Sequence, residues 1–186
     1  MRLFDQPWPE GEYRFFQLGF VVDDLLSAAT DWARVFRVGP FYLMPPVELA
    51  WTYHGAPSGV NMQVAVAQAG PVQVELVKQH CDRPSIFRDW QRGAVCGFHQ
   101  LCTVTPDYEG KKAHFGRLGY DVAAELEIDG YRVAYFDTVD DFGFFTEVVA
   151  KTDEFLSLLE GISQTSAHWD GNDPVRVPTR NGYRVP

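Results

Sequence analysis

One pattern, a strand, a helix and then three short strands, occurs twice in this chain, the second copy 83 positions after the first. A repeat of that length specifies architecture more strongly than any local signal, because each copy must bury its apolar face against the other. In the first copy Phe15 to Val22 reads as a strand by its aromatic and β-branched content, and Asp23-Asp24 can cap the helix that follows. Leu25, Ala29, Trp32 and Phe36 recur at near-helical spacing and predict its buried stripe, and Gly39-Pro40 ends it. Phe41 to Met44 then enters a strand stopped by Pro45-Pro46. Trp51 to Gly59 reads as a strand end and turn, Val60 to Ala69 alternates as a third strand, and Val72 to Val77 is the fourth. In the second copy Phe98 to Val104 is the strand and Thr105-Pro106-Asp107 opens a helix that Gly119 closes. Tyr120 to Ala124, Tyr131 to Thr138 and Phe144 to Val149 complete the unit, with Asp129-Gly130 as a hairpin turn. The fold class is therefore α+β, two βαβββ modules. Residues 13–78 and 96–152 form the modules and 79–95 the linker, with a short helical segment around Ile86 to Trp90. Residues 1–12 form an arm. In 153–186 a helix of about two turns over Glu154 to Glu160 leads into a tail with no periodicity.

Charge and composition remove several classes of function. A net charge of −9 lacks the basic footprint that phosphate backbones attract, which excludes nucleic acid as the expected partner. No apolar run approaches the ~18 residues of a membrane span, and the N-terminal stretch lacks the apolar core of a secretory signal. Cys81, Cys96 and Cys102 are odd in number and match no zinc spacing. They read as reduced thiols of a cytoplasmic protein. The 186 residues can bury a core without staples. Aromatic residues make up 15%, more than a small core requires, so some rings could line an apolar ligand site. The acids between Asp121 and Glu154 read mostly as a solvated face.

Superposing the copies places Phe16-Gln17-Leu18 over His99-Gln100-Leu101, and Val74-Glu75-Leu76 over Thr146-Glu147-Val148. Each half thus offers one Gln on its first strand and one Glu on its last. Glu is depleted in strands. Such a residue either faces water by alternation, or faces inward and must find a proton, a cation or a metal. Two Glu at equivalent positions, each matched with an amide, favour a shared site.

These features resemble the vicinal oxygen chelate superfamily, which includes glyoxalase I, methylmalonyl-CoA epimerase, extradiol dioxygenases and fosfomycin or bleomycin resistance proteins. The resemblance rests on the opening phrase Phe16 to Leu25, on Val38-Gly-Pro-Phe41, Gln73-Val-Glu-Leu-Val77, Pro84-Ser85 and Tyr135-Phe-Asp-Thr138, and on the duplication across residues 13–151. It is nearest to the glyoxalase-like and epimerase-like branch. It implies a curled mixed sheet around a central cavity, with metal ligands on the first and last strands of each module: Gln17, Glu75, Gln100 and Glu147. Gln100 stands where the family usually places His, and His99 should point to the opposite face unless a bulge turns it in. That departure argues against a dioxygenase. An all-oxygen set suits Mg²⁺, Mn²⁺ or Ca²⁺ better than Ni²⁺ or Zn²⁺, and a divalent metal is an optional rather than a required cofactor.

The implied activity is a lyase or isomerase/epimerase acting on a small organic carbonyl compound through proton abstraction and an enolate. Glu147 is the base and Glu75 the second carboxylate, and the pair with its amides could shuttle a proton even without metal. The alternative is a non-catalytic, resistance-protein-like binder that sequesters a hydrophobic or aromatic molecule. His54, His99, Trp51, Tyr53, Tyr135 and Phe145 are the expected cavity residues. His80 falls at the rim or linker, His114 on a solvated helix and His168 in the tail. Arg83, Arg88 and Arg92 are neighbouring cations that could clamp a phosphate. The resemblance also implies a homodimer.

Overall fold

A computed structural model describes residues 13–89, 97–128 and 130–186. The expected arm, Trp90, Arg92, Cys96 and Asp129 lie outside them. The first module comprises β1 (Tyr13–Val21), α1 (Leu25–Phe36), β2 (Phe41–Leu43), β3 (Val47–Tyr53), β4 (Ala56–Ala69) and β5 (Val72–Gln79). A short α2 (Ile86–Asp89) follows. The second comprises β6 (Gly97–Thr105), α3 (Tyr108–Arg117), β7 (Val122–Ile128), β8 (Tyr131–Phe136), α4 (Val139–Phe142) and β9 (Phe145–Ala150). The chain ends in α5 (Asp153–Ala167), β10 (Val175–Thr179) and β11 (Gly182–Arg184).

Local chemistry accounts for most boundaries. Asp24 caps α1 by accepting from the Ser27 amide at 2.8 Å, and Asp107 caps α3 through Gly110 at 2.9 Å. The buried stripe of α1 is Leu25, Ala29 and Ala33 rather than the expected run through Trp32 to Phe36. Phe36 lies on the last turn and is 62% exposed, leaning on Trp32 instead of the sheet. The expected strand end and turn at Trp51 to Gly59 is a tight hairpin. His54 and Gly55, with φ of 46° and 78°, join two long strands in the backbone twist such hairpins need. Pro57 pairs opposite Thr52 inside β4, which is why the sequence hid that strand's first four residues.

The strands close on themselves. Within the first module β1 pairs with β5, β5 with β4 and β4 with β3; within the second β6 pairs with β9, β9 with β8 and β8 with β7. Two antiparallel seams, β1 to β6 and β3 to β7, join the modules into an eight-stranded closed sheet. This is the curled mixed sheet expected. α1 covers the outside of the first module over Ala65, Ala67, Val74 and Leu76, and α3 covers the second over Phe136 and Val148. Inside, residues of both modules form one cluster that includes Val60, Val77, Cys102, Val133 and Val149.

The C-terminal segment is more ordered than its composition suggests. α5 runs about four turns, twice the expected length, from a Thr152 cap whose Oγ1 accepts from Phe155 N at 3.1 Å. Its Phe155, Leu159 and Ile162 pack on the barrel. The tail expected to lack structure then adds β10 in parallel beside β2 and folds back as β11. Ser166 Oγ fastens the junction by hydrogen-bonding the Gly39 carbonyl at 2.8 Å.

Candidate functional site

The register of the paired strands places the polar residues of the two copies at equivalent heights. Gln17 lies opposite Gln73 and Gly19 opposite Glu75 in the first module; Gln100 lies opposite Phe145 and Cys102 opposite Glu147 in the second. Side chains alternate along a strand, so Gln17, Gln73, Glu75, Gln100 and Glu147 share the inner face. They meet. Gln100 Nε2 donates to Glu75 Oε2 at 3.0 Å and to Glu147 Oε2 at 3.1 Å, bridging the carboxylates across the seam between the modules. Tyr135 hydroxyl donates to Glu147 Oε1 at 3.1 Å. Gly19 makes room for this arrangement: a Cβ there would stand 2.5 Å from Gln100 Cγ and Cδ.

Burial and mutual repulsion set the charge of the pair. Glu75 is held well above the usual carboxylate range, first by desolvation and then by the neighbouring Glu147. Desolvation pushes Glu147 up to about 7, against the lowering effect of hydrogen bonds from Cys102, Tyr135 and Gln100. Each carboxyl disfavours ionisation of the other, so near neutrality the pair retains a proton. Burial and the same two carboxylates also push up the Cys102 thiol and the Tyr135 phenol.

His99 is turned inward after all. Between Gly19 and Phe20 the β1–β6 ladder slips, so that Gly19 opposes Gln100 while Phe20 opposes Phe98. His99 is the extra residue of the resulting bulge. It is fully buried against Phe87 and Phe145, with Nδ1 on Gln100 Oε1 and Nε2 at 3.1 Å from the Ile86 carbonyl. Burial lowers its pKa to about 4, so the ring is neutral. A neutral imidazole carries one ring proton, and these two contacts compete for it. On Nδ1 the proton secures Gln100 Oε1 and leaves the amide N–H groups for the carboxylates. On Nε2 it goes to Ile86, and the amide must turn over and present its oxygen to protonated carboxyls. The orientation of Gln100 is thereby coupled to the protonation of the pair.

A cavity of about 540 Å³ opens on this group. Gln17, Gln73, Glu75 and Glu147 contribute its polar surface from the barrel, Met44, Val64, Val66 and Tyr131 its apolar walls, and α5 roofs it with Phe155, Leu158, Leu159 and Ile162. Phe155 meets Phe16 edge-on at 5.7 Å and Tyr131 at 5.1 Å. No Lys, Arg or His is among the described lining residues, whereas Glu154 adds a third carboxylate.

The expected cavity residues divide. Tyr135 touches the site through Glu147, and His99 and Phe145 stand behind Gln100. Trp51 is buried, stacked on Phe87 at 5.9 Å. Tyr53 and His54 both turn to Asp89, at 2.6 and 3.5 Å, and His54 borders a separate surface cleft with Asp121, Asp137, Asp140 and Asp141. Phe98 and Phe144 pack on each other and Phe98 on Phe20, away from the carboxylates. Arg83 is paired with Glu48 and Arg88 with Asp82, so neither faces the cavity. Sequence reasoning missed Gln73, Tyr131 and the α5 roof. Gln73 carried a usable signal, since it stands two residues before Glu75 and so shares its face.

A divalent metal held by Gln17, Glu75, Gln100 and Glu147 would require the Gln100 amide to turn its oxygen toward the carboxylates. The amide group lying between Glu75 and Glu147 donates hydrogen bonds and so occupies the place of a cation. The only buried imidazole is committed to Gln100 and Ile86. Among the described residues no group of three or more His, Cys, Asp or Glu is arranged to hold a metal ion.

A duplicated βαβββ barrel with its polar residues on the first and last strands of each module defines a class, and comparison with known proteins agrees. Residues 16–135 match the family model described as Glyoxalase/Bleomycin resistance protein/Dioxygenase superfamily, and the chain belongs to that family. Similar solved structures include methylmalonyl-CoA epimerase from Mycobacterium tuberculosis, at 14% identity and TM-score 0.53 over 77% of this chain and 91% of that one. A methylmalonyl-CoA epimerase in complex with methylmalonyl-CoA and NH4+ aligns at 18% identity and TM-score 0.51 over 76% and 96%. A hypothetical protein from Bacillus halodurans aligns at 12% identity and TM-score 0.56 over 77% and 97%. No curated protein matches the chain. At these identities the likeness to solved structures concerns the fold. No helix among the described residues is long and apolar enough to cross a membrane.

Proposed function

We propose that the protein is an isomerase or epimerase of a small carbonyl compound, with Glu147 and Glu75 as its acid–base pair. The observation that carries the reading is the pair itself: two buried carboxyls bridged by one amide and facing a largely apolar cavity. A substrate carbonyl seated beside Gln17 can accept a hydrogen bond from its amide, which favours the developing enolate oxygen. Ionised Glu147 takes the proton from the adjacent carbon, leaving the electron pair delocalised onto that oxygen. Protonated Glu75 returns a proton to the same carbon from another direction, inverting it, and the pair resets by proton exchange. A base held near pH 7 suits this task, because it is partly ionised yet strong enough to accept a carbon-bound proton. His99, acting through Gln100, positions the carboxyls and does not touch substrate.

The superfamily's metal chemistry would polarise the carbonyl further, but the present donors supply the steps above by themselves. Isotope exchange separates catalysis from sequestration. With carbonyl compounds offered in deuterated water, the native protein should introduce deuterium at the carbon next to the carbonyl, and Glu147→Gln should lose at least 10²-fold of that rate while staying folded. Exchange unchanged in Glu147→Gln overturns the assignment. Binding without any exchange supports the sequestering reading instead.

A further inference from the structure

Among the described residues, Gln73 is a buried polar side chain on the cavity wall that neither the fold nor the proposed chemistry uses. Gln73 is 2% exposed, and both atoms of its amide, Nε2 and Oε1, lack a hydrogen-bond partner. Buried amides are nearly always paired, since an unpaired one forfeits its bonds to water with nothing in return. A residue kept in that state inside a core is a stored cost. Its position suggests the reason. Gln73 stands in the wall between the main cavity and a neighbouring one of about 390 Å³, both of them roofed by Leu159 of α5. It lies directly opposite Gln17, whose buried side chain lines the same main cavity and also makes no hydrogen bond among the described residues. Glu75 follows two positions later on the same strand face.

We infer that Gln73, supported by Gln17, anchors the substrate, and that the substrate is an uncharged, largely apolar molecule whose polar head sets a hydrogen-bond donor beside an acceptor, as a primary carboxamide does. The inference rests on the reading of this cavity as the substrate site. An amide with both atoms orphaned is satisfied only by a partner that gives one hydrogen bond and accepts another. A carboxylate or phosphate head would lie among Glu75, Glu147 and Glu154 with no cation on the lining to offset them, so charge selects a neutral group. The remaining lining, Val64, Val66, Phe155, Leu158, Leu159 and Ile162, suits a hydrocarbon or aromatic body. The head would dock at the Gln17–Gln73 end and leave the body under the roof.

Three matched probes test this on the full chain: phenylacetamide (donor and acceptor), phenylacetone (acceptor only) and phenylacetate (anion). Calorimetric titration should rank phenylacetamide at least tenfold tighter than phenylacetone, with phenylacetate weakest. Gln73→Met should bring phenylacetamide down to the affinity of phenylacetone, and Gln17→Leu should weaken it partially. The free Gln73→Met protein should also melt at a higher temperature than the native one, because the orphaned amide is gone. A structural glutamine would instead lower it. Equal phenylacetamide affinity in native and Gln73→Met protein overturns the inference, as does phenylacetate binding as tightly as the amide, or no binding by any probe up to its solubility. The proton-transfer reading fails separately: deuterium exchange would be absent while amide binding stayed dependent on Gln73.

Discussion

At the scale of single residues the molecule concentrates its strain around the carboxyl pair, and pH should expose it. Glu147 and Glu75 titrate above the ordinary carboxylate value in the folded protein, so folding takes up protons, and the stability they give is complete below about pH 4.5 and lost as pH rises through their folded values. His99 acts in the opposite sense. Its folded value of about 4 lies below the unfolded 6.5, so its contribution is present above pH 6.5 and lost on acidification. Between pH 4.5 and 6.5 the two carboxyls together outweigh the single opposing imidazole, between 6.5 and 7 they act unopposed, and above pH 7 the remaining carboxyl dependence comes from Glu75. Denaturant titrations should therefore find stability falling as pH rises above about 4.5, most steeply between pH 6.5 and 7 where the imidazole no longer offsets the carboxyls. Glu147→Gln should remove about 3 kcal/mol of that pH dependence between pH 4.5 and 7, leaving Glu75 and His99 to offset each other between pH 4.5 and 6.5. A native stability that rises from pH 4.5 to 7 would contradict the assignment. Gly19 offers a second handle. Gly19→Ala puts a Cβ into Gln100, which is held by three side chains and cannot swing away freely. It should cost about 1–3 kcal/mol and cut isotope exchange tenfold or more, as the bridge between the carboxyls is displaced. A fully active Gly19→Ala protein would show that the bridge is dispensable.

At the scale of elements, the roof over the cavity is the part whose behaviour follows least from the barrel. α5 is held by an apolar face and by one cap, Thr152, with Asp153 and Glu154 complementing the helix dipole in its first turn. Thr152→Ala should remove about 1 kcal/mol from α5 alone. Hydrogen exchange of its first two turns should accelerate about fivefold, while the amides of β1 and β6 keep their rates. Uniform acceleration across the barrel would mean that roof and barrel open together. The sequence foretold this element only in part. Glu154 to Glu160 shows apolar periodicity, but Gly161, Ser163, Thr165 and Ser166 weaken the pattern just where contacts with β4 and Gly39 take over. β10 and β11 were invisible for a related reason. Their residues pair with β2 and with each other, and edge pairing of that kind leaves no alternation to read. Strands whose two faces differ, such as β5 and β6, were legible because one face meets a helix and the other meets the cavity.

At the scale of the whole molecule the duplication made both fold and site readable, for a physical reason. A pseudo-symmetric barrel places equivalent strand positions at equivalent heights, so Gln17 over Gln100 and Glu75 over Glu147 in sequence becomes one cluster in space. What the duplication could not convey was anything breaking the symmetry. The β1–β6 ladder slips in β1 between Tyr13 and Gln17 as well as at His99 in β6, but only the second slip sets an imidazole beside an amide, and the amide bridge exists only from the second module's side. The same closure predicts how the protein unfolds. The modules share a single interior cluster, and each would expose two unpaired strand edges if separated, one at the β1–β6 seam and one at β3–β7. Each half keeps a smaller cluster under its own helix, but the barrel interior is complete only when the two are joined. Tryptophan fluorescence and far-ultraviolet circular dichroism should report the same urea midpoint in the full chain, with Val104→Ala in the second module and Val77→Ala in the first each shifting the whole transition by about 1–3 kcal/mol. A segment comprising residues 13–78 alone should fail to fold as a monomer, and should associate through its open edges instead. Two separated transitions, each moved by only one of the substitutions, would show that the modules are independent domains and that the barrel is an assembly of finished parts.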